Sequence, residues 1–98
     1  MNFGARLRED RRLALLTLLE RTAGYDLNRS ILASALADLG HRPSADTLRA
    51  DLAWLAEQGL IGIRMAGDLE VATLTVRGAD VALGRAVIPG VRRPAPDG

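Results

Sequence analysis

Residues 44–65 read SADTLRADLAWLAEQGLIGIRM, a helix with a marked start and a marked stop, followed at once by a strand. Ser44 is the expected N-cap, because its hydroxyl oxygen can accept a backbone N–H of the first turn. Asp46 in that turn suits the positive end of the helix dipole. Leu48, Leu52 and Leu55 repeat at helical spacing and form the expected buried stripe. Gly59 closes the helix and is expected to have positive φ, which glycine reaches without a Cβ penalty. Residues 60–65 read as a strand with Ile61, Ile63 and Met65 on one face. Gly67-Asp68 is a two-residue hairpin turn, and residues 69–74 return from it. The return strand alternates poorly, so its inner face is not assigned. Thr75 caps a last helix over residues 76–85, in which Gly78 and Gly84 cost about 1 kcal/mol each relative to alanine.

Upstream, residues 5–22 form a helix that is charged in its first half (Arg6, Arg8, Glu9, Asp10, Arg11, Arg12) and apolar on nearly every side in its second. Leu7, Ala14, Leu15 and Leu18 share one stripe, whereas Leu13 and Leu16 lie off it. A helix apolar all round is buried all round. Leu13, Leu15, Leu16, Leu18 and Leu19 are more than one small core is expected to take, which points to a homodimer through this helix, with Leu13 and Leu16 as contacts. Gly24 ends it. Asn28 then caps a second helix carrying Ile31, Leu32, Ala35, Leu36 and Leu39, and Gly40 stops that one. The linker Gly40-His41-Arg42-Pro43 is short, and Pro43 cannot lie within a helix.

The order is helix, helix, helix, strand, turn, strand, helix. It predicts a mainly α domain with a small β-hairpin, a winged helix-turn-helix of order α-α-α-β-β-α over residues 1–86. A plain three-helix bundle would leave residues 60–74 without a role. Residues 87–98 are rich in Pro, Gly and Arg and are expected to run along the surface or to be disordered.

Composition narrows the function classes. Ninety-eight residues make one domain, and 48% hydrophobic content is too apolar for a disordered chain. Thirteen arginines and no lysine stand against 12 acids, for a net charge of +1. No apolar run approaches the length of a membrane span. The stretch 13–19 is short, with Glu9 and Asp10 before it and Glu20 after it, so it is not read as a signal peptide. With no cysteine and a single histidine, the chain has no material for disulfides, thiolate zinc or a cysteine nucleophile. Paired carboxylates at a cleft, a phosphate-binding glycine loop and a nucleophile motif are not evident. The expectation is a small cytoplasmic binding domain, not an enzyme, with no cofactor and no metal.

Residues 48–61, LRADLAWLAEQGLI, resemble the recognition helix and first wing strand of bacterial ArsR- and MarR-type regulators. Leu74-Thr75-Val76-Arg77-Gly78 is similar to the segment that enters the helix after the wing in that superfamily. A fuller resemblance is carried by residues 7–13 (LREDRRL), 24–28 (GYDLN), 51–60 (DLAWLAEQGL) and 89–92 (PGVR). These are similar to small proteins of Mu-like transposable bacteriophages and prophages. That resemblance implies a phage or prophage origin and a winged-helix fold, and it implies no activity.

In the regulators this helix faces DNA, which makes Arg42, Ser44, Thr47, Arg49 and Arg64 the candidate contacts. Arginine can bind a guanine edge through two hydrogen bonds, and threonine can touch a phosphate or a thymine methyl. The plainer reading is a solvated face, with Arg49 paired to Asp46 or Asp51. Residues 41–58 carry a net charge of −1, which repels phosphate, and between residues 59 and 76 Arg64 stands alone against Asp68 and Glu70. The positive surplus sits at the ends, +2 in residues 1–22 and +2 in residues 77–98. Trp54 lies off the leucine stripe and is either a core-edge residue or a hot spot for a partner. His41 reads as a surface loop residue. Two functions follow: a homodimeric DNA-binding protein (a small transcriptional regulator or DNA-recognition factor on duplex DNA), or a protein-interaction adaptor in phage development that keeps the fold without using it on DNA.

Overall fold

Each helix of the computed structural model, which describes residues 2–96, starts at a side-chain cap. Asn2 accepts from Ala5 N (2.7 Å), Asn28 from Ile31 N (2.8 Å), Ser44 from Thr47 N (3.1 Å) and Thr75 from Gly78 N (3.0 Å). The elements are α1 (Phe3–Glu20), β1 (Asp26–Asn28), α2 (Arg29–Asp38), α3 (Ala45–Glu57), β2 (Ile61–Ala66), β3 (Leu69–Leu74) and α4 (Val76–Ala82). The cap at Asn2 starts α1 two residues earlier than its apolar periodicity suggested.

Three helices stop in the same way. Gly40, Gly59 and Gly84 have φ of +88°, +74° and +79°. The next residue's N–H reaches back to Leu36, Leu55 and Asp80 respectively, the hydrogen-bond pattern of a Schellman motif. Gly84 therefore ends α4 sooner than the expected residue 85. At the end of α3 the motif turns the chain so that Leu60 is fully buried beside Leu55. Gly59→Val should thus destabilise the protein by more than about 1 kcal/mol, because a β-branched residue strains at positive φ. An unchanged urea midpoint for the Gly59→Val variant would contradict this account of the helix end.

Gly67 and Asp68 connect β2 to β3, and positive φ at Gly67 alone is the pattern of a type II′ turn. The sheet has a third strand that periodicity did not reveal. β1 pairs antiparallel with β3, Leu27 opposite Ala72, giving the order β1-β3-β2. A central position explains the poor alternation of β3. Val71 and Ala72 point to opposite faces, yet both are buried. The expected face of β2 grades outward, from buried Ile61 through half-buried Ile63 to exposed Met65.

The result is an α+β fold, four helices with a three-stranded antiparallel sheet around one core cluster. Two expectations are corrected here. Leu15, Leu16 and Leu19 are all fully buried, with Leu13 and Leu18 partly buried against the same core. α1 touches α2, α4 and β3, so the apolar second half of the helix packs within one copy. Leu16 is not on the surface at all. The C-terminal segment likewise packs: Val91 is buried in the core cluster, with Ile88 partly buried against it. It forms a strap along α1, where Arg92 N donates to Glu9 O (3.2 Å) and Arg92 Nη1 pairs with Asp10 (2.6 Å).

Candidate nucleic-acid interface

α3 turns Leu48, Asp51, Leu52 and Leu55 inward and leaves Ala45, Asp46, Arg49, Ala50, Ala53 and Glu57 exposed. Ser44 and Thr47 are brought together at its start, where the Ser44 hydroxyl donates to Thr47 Oγ1 (3.0 Å) while accepting from Thr47 N. Both hydroxyls are thereby engaged in the cap. Arg49 pairs with Asp46 (3.4 Å) on the open face of the helix. Arg42 is exposed in the preceding loop. Arg64 stands apart from this group on β2, paired with Asp26 of β1 at 3.4 Å. Glu70, one of the two acids counted against it, is held by Arg29. The Arg29 Nε lies 3.4 Å from Glu70 Oε1 but lacks hydrogen-bond geometry, so that contact is an ion pair only.

Asp51 is the residue that the sequence reading misplaced. Counted among the acids of the α3 face, it is 2% exposed and sits between two arginines of α1. Arg11 Nε donates to one carboxylate oxygen and Arg12 Nε to the other, the latter at 3.2 Å. Arg12 also lies over the Trp54 ring, 4.0 Å from its centroid, and donates to Gly90 O at 3.2 Å. The cation stacks on the electron-rich ring face while its N–H groups reach the carboxylate and the carbonyl. Trp54 is thus half-buried and covered by Arg12 and Gly90. The plainer of its two readings, a core-edge residue, accounts for that position. With Asp51 removed from the outer face, Arg42 and Arg49 balance Asp46 and Glu57, and the net charge there is zero rather than −1.

Sequence reasoning missed this network. Its signal was present, because Asp51 falls at helical spacing with Leu48 and Leu55 and so lies on the buried stripe. His41 is half-buried at the end of α2, where its backbone N–H bonds Leu36 O (2.9 Å). Three of the four stretches that carry the phage resemblance, 7–13, 51–60 and 89–92, meet around Asp51.

Fold and surface define a small α+β protein whose polar interior joins its first helix, its third helix and its C-terminal strap. The chain is 46% identical over 90 residues to the uncharacterized protein gp26 of Escherichia phage Mu, covering 92% of this chain and 93% of that one. It is also 42% identical over 78 residues to an uncharacterized protein of Haemophilus influenzae, covering 79% of this chain and 76% of the relative. The chain belongs to the family of Mu gp26. No family model matches it, and no solved structure matches it. Among the described residues no helix is long and apolar enough to cross a membrane.

Proposed function

We propose that this chain is a winged-helix DNA-binding protein of phage or prophage type, a small transcriptional regulator or DNA-recognition factor acting as a homodimer. The N-terminal part of α3 would enter a major groove, with Arg49 at base edges and Arg42 and Arg64 on phosphates. The order α1-β1-α2-α3-β2-β3-α4, with a short turn between α2 and α3 and a two-stranded hairpin after α3, supports a winged-helix reading. The observation that carries the function is the inward turn of Asp51. It leaves a neutral outer face on α3, with small Ala45, Ala50 and Ala53 beside Arg49, on which a base-pair edge can approach closely. The pair of Arg49 with Asp46 does not stand in the way, since an exposed pair of this kind is worth little and opens readily.

A titration of duplex DNA at several salt concentrations tests this reading. Two arginines on phosphates per copy give a shallow dependence, with a log–log slope of about −2 per copy. Arg49→Ala should cost about 1–3 kcal/mol at a preferred site and relax the sequence preference, while Arg64→Ala should weaken all sequences alike. Absence of any DNA retention at low salt would sink the proposal. The adaptor reading would then stand, and one observation favours it: Arg49 and Arg64 each already have an acidic partner.

A further inference from the structure

We infer that the start of α1 and the C-terminal strap form the surface through which two copies of this chain pair. The inference deepens the homodimeric part of the DNA-binding reading and replaces Leu13, Leu16 and Trp54, which are buried or covered, with residues that face outward. Phe3 is 77% exposed and Leu7 41%, one turn apart on the same side of α1. They line a groove of about 470 Å³ between α1 and the strap, together with Arg6, Glu9 and Asp10 of α1 and Val91, Arg92 and Arg93 of the strap. The surface therefore offers an open groove with an exposed apolar wall. A two-fold contact can use both features, because the same patch on each copy must be complementary to itself.

The charges point to a second copy rather than to a partner of one sign. Asp10 and Arg92 are used on each other at 2.6 Å. Arg6, Glu9 and Arg93 make no ion pair among the described residues, and the groove therefore carries both signs. An acidic peptide would satisfy Arg6 and Arg93 but repel Glu9, and a basic one would do the reverse. Two copies related by a two-fold axis can place Arg6 of each against Glu9 of the other. A dimer of ordinary size hides roughly 800 Å² per copy, about one-seventh of the 5874 Å² surface of this chain. One groove with its apolar wall is smaller than that, so the pairing should be reversible and depend on concentration.

Sedimentation of the full chain over a concentration series, without DNA, reads the pairing directly. Wild type should pass from monomer to dimer. Phe3→Asp should remain monomeric at every concentration with its melting temperature kept, because the side chain is exposed and an acid suits the first turn of a helix. Arg6→Glu and Glu9→Arg should each weaken dimerisation by about fivefold or more, since each change affects two symmetric contacts. The double variant should recover most of the loss, which a merely local effect on α1 would not produce. A wild-type chain that stays monomeric at its highest soluble concentration overturns the inference. So does a dimer that survives Phe3→Asp but is lost on Val76→Asp, which would place the contact on the exposed face of α4. A wild-type dimer that retains no DNA would sink the DNA reading and leave this surface standing. A wild-type monomer that retains DNA would do the opposite.

Discussion

Gly78→Ala is expected to destabilise the protein by about 3 kcal/mol or more, although alanine is the better helix former by about 1 kcal/mol. The reversal comes from a close approach. A Cβ on residue 78 would lie 2.0 Å from Leu60 O, 2.9 Å from Leu60 C and 2.7 Å from Leu74 Cδ1. The Leu74 side chain can rotate away, but the Leu60 backbone cannot. Its N–H is bonded to Leu55 O (3.0 Å) in the motif that closes α3, and its carbonyl accepts from Thr75 N (3.1 Å) at the start of α4. Any room for a methyl group must come from lifting α4 off the core, where Val81 and Ala82 are buried. Urea unfolding of the variant reads the effect. Gly4→Ala is the control, because a Cβ there meets only Asn2 Oδ1 at 3.5 Å. That variant should be unchanged or slightly more stable, and a Gly78→Ala midpoint equal to wild type would refute the close approach.

Asp51→Ala should cost about 3–5 kcal/mol, the usual result of removing one partner from a buried ion pair. It would leave the Arg11 and Arg12 guanidiniums, whose side chains are 11% and 12% exposed, without their counter-charge. Loss of the Arg49 pair with Asp46 at the surface should by contrast hardly move the unfolding midpoint. Because Arg12 also holds Gly90 O, the variant should loosen the strap before the rest of the fold. Hydrogen exchange at the Arg92 amide, bonded to Glu9 O in the wild type, reports this. Unaltered stability together with unaltered exchange at Arg92 would mean that the network does not hold α1, α3 and the strap together.

The contrast between these two arginine–aspartate contacts shows where reading the chain residue by residue stops. Arg49 and Asp46 are three positions apart on one helix, and their pairing was one of the readings available from spacing alone. Arg11 and Asp51 are 40 positions apart, and Arg12 and Gly90 are 78 apart. Charge counting along the chain assigned Asp51 to the outer face of α3 and drew from it a repulsion that the folded protein does not present. The apolar second half of α1 was read correctly, yet Leu16, expected to meet a partner, is buried in the core, with Leu13 partly buried against it. Counting leucines on one helix does not reveal how many elements will surround it.

The caps at Asn28, Ser44 and Thr75, the stops at Gly40 and Gly59 and the turn at Gly67-Asp68 were legible because their hydrogen bonds close within a few residues. The amino acids that make them are local neighbours with the required donors, acceptors and φ angles. Membership in the Mu gp26 family was legible for a similar reason, since the matching stretches stand in the chain itself. β1 was not legible. Asp26-Leu27-Asn28 is too short for periodicity, and only pairing with β3 makes it a strand. The strap was not legible either, because Val91 is buried only once α1 lies beneath it. The burial of Asp51 needed α1, α3 and the strap in place together. Glycine at position 78 reads as a weak helix residue until α4 lies against Leu60. Each of these depends on atoms distant in the chain meeting at ångström range, which composition and spacing do not encode and tertiary packing alone decides.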